Sequence, residues 1–172
     1  SSVAPRAPLP PAGRFAPMEA LLLLGGNLGE PRELLQAAEG RLFPRAGRLL
    51  ARSRDHWTEP WGFADDRPFL NRALLLDTPL GPETLLALAL DVETALGRVR
   101  GPERYGPRCI DIDILWMGDL VRTAPAPILP HPRMAERRFA LAPAADVAPG
   151  YLHPVLRRTV LELLDHAGSN TP

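Results

Sequence analysis

Lysine is absent from the 172-residue chain, and cysteine occurs only once, as Cys109. All 20 basic residues are therefore arginine, so any contact with a phosphate must use a guanidinium group. One cysteine excludes an internal disulfide framework and favours a reducing compartment, which predicts a cytoplasmic location. No apolar run approaches the roughly 20 residues that span a bilayer, so we expect no membrane segment.

The chain has no excess of charge of either sign, because its 20 arginines balance 20 acidic residues. General nucleic-acid binders carry a basic excess, so we expect no nucleic-acid partner. The length is typical of one domain, and we expect a monomer. We assign residues 18–168 to this domain. Residues 1–17 are rich in Pro and Ala, and we interpret them as a disordered extension or a non-native remnant.

The spacing of apolar residues predicts the order strand, helix, strand, strand, helix, strand, followed by a helical tail. The predicted strands cover residues 20–24, 48–57, 69–76 and 109–117, with a possible short hairpin strand at 120–123. The predicted helices cover residues 31–43, 81–97, 134–141 and 156–167. This order is typical of an α+β, ferredoxin-like βαββαβ fold, with helices packed on one face of an antiparallel sheet and an α-helical C-terminal extension.

Two carboxylates, Asp111 and Asp113, alternate with isoleucines in the last predicted strand. Residues two apart in a strand point to the same face, so both carboxylates project together and repel each other. A divalent cation resolves this repulsion, and Mg²⁺ prefers one or two carboxylates together with substrate phosphates. The other interpretation is a solvated polar strand face with arginine partners, and the spacing alone leaves both open.

Four arginines lie in the Gly/Pro-rich segment that leads into these aspartates: Arg98, Arg100, Arg104 and Arg108. Surface salt bridges to the aspartates are one interpretation, although such pairs contribute only about 0 to 1 kcal/mol each. A segment of this kind is better suited to a lid that brings guanidinium groups to phosphates. Metal-binding carboxylates beside arginines are what phosphoryl transfer requires, so we favour that chemistry.

Two further groups of residues are candidates for ligand binding. His131 lies between two prolines and precedes several arginines, which is compatible with an incidental loop histidine or with a phosphate contact. Trp57, Trp61, Phe63 and Phe69 surround a loop that ends near Asn71. They are either anchors to the core or a slot in which an aromatic heterocycle stacks while the Asn71 amide binds its edge.

Taken together, these motifs resemble the 6-hydroxymethyl-7,8-dihydropterin pyrophosphokinase family. The segment RYGPRCIDIDIL at residues 104–115 closely resembles the signature of that family. Four more motifs follow the family's order: LGGNLG at 24–29, FLN at 69–71, Glu93 with GRVR at 97–100, and Pro130-His131-Pro132 with Met134, Arg137 and Phe139. The resemblance covers roughly residues 18–166.

The resemblance implies an enzyme that transfers pyrophosphate from ATP to 6-hydroxymethyl-7,8-dihydropterin in folate biosynthesis, with two Mg²⁺ ions. It implies Asp111 and Asp113 as metal ligands, and the catalytic group would comprise Asp111, Arg98 and Arg108. It implies ATP-binding roles for Glu93, Arg100, Arg104, His131 and Arg137. It implies a pterin pocket formed by Thr58, Phe69, Asn71, Tyr105 and Phe139.

Two alternatives remain open on the sequence alone. A metal-dependent nucleotidyltransferase also uses paired strand aspartates, but it releases pyrophosphate instead of AMP and needs a third, distant carboxylate. A non-catalytic ferredoxin-like ligand-binding domain would not need the aspartate pair.

Overall fold

The computed structural model describes residues 14–59, 67–98 and 110–167. Five β-strands and four α-helices lie in this part of the chain. Their order is β1 (Arg14–Gly26), α1 (Pro31–Ala46), β2 (Arg48–Arg52), β3 (His56–Thr58), β4 (Phe69–Leu80), α2 (Pro82–Arg98), β5 (Asp111–Met117), a 3₁₀ helix (Met134–Glu136), α3 (Arg138–Val147) and α4 (Val160–Ala167).

The strands form one antiparallel sheet in the order β2-β4-β1-β5, and β3 pairs with β4 beyond the end of β2. The predicted ferredoxin-like α+β class is therefore confirmed. β1 is the central strand, with β4 on one side and β5 on the other. Its apolar run from Ala20 to Leu24 is buried throughout, because helices cover both faces of the sheet.

The two faces have separate cores. Leu22 and Leu24 of β1 pack with residues of α1 and α2, whereas Leu21 and Leu23 pack with residues of α3 and α4. Alternation with a period of two explains this division. Our expectation of helices on one face is thus incomplete, since the C-terminal helices cover the second face. No helix in the described residues is both long and apolar enough to cross a membrane.

Several predicted boundaries differ from those observed. β1 begins at Arg14, so residues 14–17 belong to the strand and not to the extension that we expected. The strand predicted at residues 120–123 is wrong, because this segment makes only an isolated bridge between Arg122 and Leu129. The helix predicted from Met134 is divided into the 3₁₀ helix and α3.

The start of α4 is fixed by a capping box and not by the earlier apolar residues. Thr159 Oγ1 accepts the backbone N–H of Glu162 at 3.1 Å, and Glu162 Oε1 accepts the backbone N–H of Thr159 at 2.8 Å. This reciprocal pair satisfies N–H groups that have no partner within the helix. The helix therefore begins at Val160, four residues later than predicted.

A network of charged side chains lies between α1 and the sheet. Arg72 of β4 donates to Glu39 of α1 at 2.9 Å and to Asp55 at 2.8 Å. Glu39 also accepts from Arg52, and Asp55 also accepts from Arg32. Burial by itself would raise the pKa of Asp55, but the hydrogen bonds from Arg32 and Arg72 outweigh it and hold this pKa below its usual value. The network therefore ties α1, β2 and β4 together.

We predict that Glu39→Ala destabilises the fold by about 1.5 to 3 kcal/mol, because it removes a charge-assisted hydrogen bond from the buried Arg72, which keeps its pair with Asp55. Chemical denaturation measures this change. Glu33→Ala on the exposed side of the same helix is the control, and it should change the unfolding free energy by only about 0.5 kcal/mol. Equal, small effects of both variants would contradict the stabilising role of the network.

Tyr151 anchors the segment before α4 to the end of β5. Its ring stacks on Trp116 with centroids 3.8 Å apart, and its hydroxyl donates to the Gly118 carbonyl at 2.6 Å. Burial, with a smaller contribution from the charge of Asp119, raises the pKa of Tyr151 to about 12. The phenolate is therefore disfavoured in the folded state.

We predict a loss of stability at alkaline pH that depends on Tyr151. Because its folded-state pKa is above the unfolded value of about 10, its contribution is complete below pH 10 and is lost as the pH rises towards 12. No lysine titrates in this range. Tyr151→Phe should cost about 1 kcal/mol at neutral pH and should flatten the alkaline slope in denaturation curves. An unchanged slope would contradict the assignment.

Candidate active site

A cavity of about 760 Å³ opens on the face of the sheet that α3 and α4 cover. Its volume is in the range of small-molecule sites. The sheet supplies one wall, and the 3₁₀ helix with α3 and α4 supplies the other. The lining residues are Leu23, Gly25, Thr58, Phe69, Asn71, Asp111, Asp113, Arg133, Ala135, Glu136, Arg137, Phe139, His166 and Ala167.

The strand register places the polar groups of the sheet in one row. Gly25 of β1 lies opposite Asn71 of β4 on one side and opposite Asp111 of β5 on the other. In the next row on the same face, Leu23 lies between Ala73 and Asp113. Both aspartates thus face the cavity, separated by about 7 Å along the strand. The predicted orientation is confirmed, since Ile110 and Ile112 pack in the opposite core.

A β-bulge follows the aspartates in β5. The register shifts between the pairs Leu22↔Ile114 and Leu21↔Trp116, which leaves Leu115 as the extra residue. Leu115 and Trp116 consequently both pack against α3 and α4, and the alternation then resumes with Met117 on the other face. Bulges occur frequently beside active sites because they redirect side chains. Here the bulge turns Trp116 to the same face as Leu115, whereas strict alternation would have placed it in the opposite core with Ile112 and Ile114.

Glu93 of α2 binds the backbone of β5 between the two aspartates. Its Oε2 accepts the N–H of Ile112 at 2.7 Å. β1 and α2 therefore hold the aspartate-bearing strand from two sides. A hydrogen bond to a carboxylate is among the stronger kinds, so this contact restrains the positions of both carboxylates.

Thr58, Phe69 and Asn71 form the opposite end of the same wall. Asn71 Nδ2 donates to Thr58 Oγ1 at 3.3 Å, and Asn71 is almost fully buried. β3 is also tied to α3, because His56 Nε2 lies 2.8 Å from Asp146 Oδ2. Burial by itself would raise the pKa of Asp146, but hydrogen bonds from Arg54 and His56 lower it to about 2. This ion cluster positions Thr58 against the cavity.

His131 lies beside the aspartates and not in the cavity wall. Its Nδ1 accepts the backbone N–H of Arg133 at 3.2 Å, so the neutral ring carries its proton on Nε2. Burial lowers the pKa of His131, and the charges of Arg137 and Arg133 lower it further, against the opposing charge of Asp113. The ring is therefore a neutral hydrogen-bond donor at neutral pH.

Arg137 and Phe139 line the cavity opposite the sheet. The Arg137 guanidinium lies over the Phe139 ring, 5.5 Å from its centroid. One side of the cavity therefore carries a cation next to an aromatic face. The carboxylates of Asp111 and Asp113 lie across from it, on the sheet wall.

The donor set fits Mg²⁺. Two carboxylates on one rigid strand face, within a cavity that also contains a guanidinium group, are suited to an ion that takes its other ligands from water and phosphate. Within residues 14–59, 67–98 and 110–167, no group of three or more His, Cys, Asp and Glu side chains has a metal-binding arrangement. A cage made entirely of these side chains is thus not found in the described part.

A family model described as 7,8-dihydro-6-hydroxymethylpterin-pyrophosphokinase (HPPK) matches residues 21–149, well over half of the chain. The chain belongs to this family. Its relatives include proteins named 2-amino-4-hydroxy-6-hydroxymethyldihydropteridine pyrophosphokinase. The protein from Methylorubrum extorquens is 44% identical over 131 residues, which cover 76% of this chain and 82% of that protein. The protein from Porphyromonas gingivalis is 44% identical over 136 residues, covering 77% and 92% respectively.

Solved structures support the fold assignment. The structure of wild-type HPPK-DHPS from Plasmodium falciparum superposes with a TM-score of 0.68 at 16% identity, over 87% of this chain and 44% of that one. A structure of HPPK-DHPS in complex with substrates gives a TM-score of 0.70 at 12% identity, over 88% and 43%. This chain therefore spans less than half the length of those proteins. At these identities the similarity concerns the fold alone.

The structure brings together most of the predicted site residues that it describes. Seven predicted site residues line the cavity: Thr58, Phe69, Asn71, Asp111, Asp113, Arg137 and Phe139. Glu93 and His131 are not among the cavity-lining residues. Glu93 accepts a hydrogen bond from the backbone of β5, and the charge of Asp113 acts on the pKa of His131. Arg98 is the last residue of α2, and its side chain lies outside the described part. Arg100, Arg104, Tyr105 and Arg108 also lie outside the described residues.

Sequence reasoning missed several residues that line the cavity. We named Gly25 only as part of the LGGNLG motif and not as a site residue, although it lies in the cavity wall. His166 and Ala167 reach the cavity from the end of α4, which no local pattern indicated. Strand order could have indicated Gly25. In the predicted fold the first strand pairs with the strand that carries the aspartates, so a residue near its end lies beside them.

We predict that Glu93→Ala frees the strand that carries the aspartates. Loss of a charge-assisted hydrogen bond of about 1.5 to 3 kcal/mol should speed exchange of the Ile112 amide by about tenfold to a hundredfold. Amide hydrogen exchange measured by NMR tests this. Glu93→Gln keeps an acceptor oxygen and should give an intermediate rate. Unchanged Ile112 exchange in both variants would contradict the restraint.

Proposed function

We propose that the chain transfers a pyrophosphoryl group from ATP to the hydroxymethyl group of 6-hydroxymethyl-7,8-dihydropterin, giving AMP and the pterin diphosphate of folate biosynthesis. One observation carries the proposal. The three-strand register places an amide, a glycine and a carboxylate in one row of the cavity wall, at Asn71, Gly25 and Asp111. The arrangement unites a group that can bind a heterocycle with one that can hold a metal ion.

The acceptor heterocycle binds at the Thr58 end of the cavity. Asn71 is held by its hydrogen bond to Thr58, which orients the amide towards the edge of the ring. Phe69 and Phe139 supply aromatic faces from the sheet and from α3. A flat ring stacked between aromatic side chains loses its water and keeps a fixed direction. We also assign Tyr105 to this pocket.

The ATP phosphates bind at the aspartate end. Asp111 and Asp113 would hold two Mg²⁺ ions, which when bound neutralise the phosphate charge and polarise the phosphorus that is attacked. Arg137 contacts the phosphates from the opposite wall, and the Nε2 proton of His131 is available to a phosphate oxygen. Glu93 lies along the nucleotide side through its contact with β5.

The oxygen of the acceptor hydroxyl forms a bond to the β-phosphorus of ATP and releases its proton to solvent. The bond between the β-phosphorus and the oxygen that links it to the α-phosphate breaks, and that oxygen leaves with AMP. Asp111 lies in the row of Gly25 and Asn71, so its carboxylate is the cavity group on β5 placed nearest the ring. Arg98 and Arg108, with Arg100 and Arg104, balance the charge of the transferring group. Alignment and charge neutralisation supply most of the rate in transfers of this type.

The remaining assignments concern the whole protein. We propose a cytoplasmic monomer in which a single pyrophosphokinase domain ends at residue 168. Residues 14–17 lie in β1, which supports a domain that includes them together with residues 18–168.

Product analysis tests the function. With ATP, Mg²⁺ and the hydroxymethyldihydropterin, the wild-type chain should form AMP in proportion to pterin diphosphate. Asp111→Ala should lower the rate by at least about a hundredfold, since it removes a group that acts on the developing charge. Asp91→Asn is the control, because Asp91 is exposed on α2 and is not among the cavity-lining residues described.

Each product distinguishes a different reaction. ADP would mean transfer of the γ-phosphoryl group and would refute the proposed attack at the β-phosphorus. Release of pyrophosphate with a nucleotidylated acceptor would identify a nucleotidyltransferase. An unchanged rate in Asp111→Ala would show that this carboxylate is not part of the reaction.

A further inference from the structure

Gly25 occupies an unusual position in the cavity wall. It is buried near the end of β1, and it lies between Asn71 and Asp111 at the point where the wall carries its polar groups. The neighbouring row has Leu23 at the corresponding place. The missing side chain therefore leaves a local recess between the Asn71 amide and the Asp111 carboxylate. Their strands, β4 and β5, lie about 10 Å apart on either side of β1.

A side chain at this position would meet the groups of one end of the cavity. A Cβ added to Gly25 would lie 3.0 Å from Phe69 Cε1 and 3.2 Å from Asn71 Oδ1. Ordinary carbon contacts are longer, about 3.5 to 4.0 Å, so the ring and the amide would have to shift. The three nearest atoms belong to these two residues and not to Asp111. An added methyl group would therefore crowd the end of the cavity formed by Phe69 and Asn71, and not the end formed by the two aspartates.

The backbone does not require glycine here. The described glycines with positive φ are Gly29, Gly47 and Gly118, and Gly25 is not among them. Its strand is paired on both sides, and alanine is compatible with that conformation. The need for glycine at this position therefore arises from the side chains of Phe69 and Asn71, which leave little room for a Cβ in this part of the cavity wall.

We propose that Gly25 determines which acceptors the site takes, by forming a recessed floor on which only a flat heterocycle can reach both the Asn71 amide and the Asp111 side of the cavity. The inference rests on the proposed function and deepens it. Planar rings bind close to this floor, and puckered rings are held away from it. Gly25 is thus a specificity-determining residue for the acceptor and leaves the nucleotide site unaffected.

The test compares Gly25→Ala with Gly40→Ala. Gly40 is exposed on α1 with no atom within 4 Å of an added Cβ, so its variant controls for the glycine-to-alanine change itself. Binding of the hydroxymethyldihydropterin is followed by its fluorescence, with Mg²⁺ and a non-hydrolysable ATP analogue present. Gly25→Ala should weaken pterin binding by about tenfold or more, and the ATP analogue should bind within about twofold of wild type.

A second measurement uses the unmodified chain and does not depend on the folding of the variant. The wild type should bind the nearly flat dihydropterin at least about tenfold more tightly than the puckered tetrahydropterin with the same substituent. Equal binding of the two rings, or unchanged pterin binding in Gly25→Ala, would overturn the inference about Gly25. If the wild type still formed AMP, the proposed function would stand. Absence of AMP from the wild type would overturn the proposed function and this inference together.

Discussion

Antiparallel pairing of β1 with both of its neighbours is the constraint on which the site depends. The register of this central strand fixes which residue of β4 and which residue of β5 lie beside each position. A shift by one residue would turn Asn71 and the aspartates into the opposite core. The alternation in β5 opposes such a shift, because Ile112 and Ile114 fill one core and a slip would bury Asp111 and Asp113 there instead.

Charged side chains are arranged differently on the two faces of the sheet. On the α1 face, Arg72 is paired with both Glu39 and Asp55, so the charges satisfy one another and hold the elements together. On the cavity face, Asp111 and Asp113 lie on one strand at a separation at which like charges repel. The Arg72 network contributes to the fold, and two carboxylates on one strand face are suited to binding a cation.

Short-range patterns in the sequence predicted the strands of the sheet and most of the helices that pack on it. Period-two alternation gave the orientation of Asp111 and Asp113, and the motif order gave the family to which the chain belongs. Patterns within one segment could not show that α3 and α4 cover the second face, since their partners are distant in sequence. The bulge at Leu115 and the cavity position of Gly25 were missed for the same reason: both depend on pairing between strands. The start of α4 was misjudged because apolar residues before Thr159 outweighed its capping signal.

The bond from Ile112 to Glu93 has a consequence for how the molecule meets other copies of itself. β5 is an outer strand of the described sheet, and outer strands expose N–H groups that can recruit a strand from another chain. Glu93 occupies the N–H of Ile112 and adds a negative charge at that edge. The contact that steadies the two aspartates therefore also discourages the edge-to-edge joining of sheets from which aggregates grow.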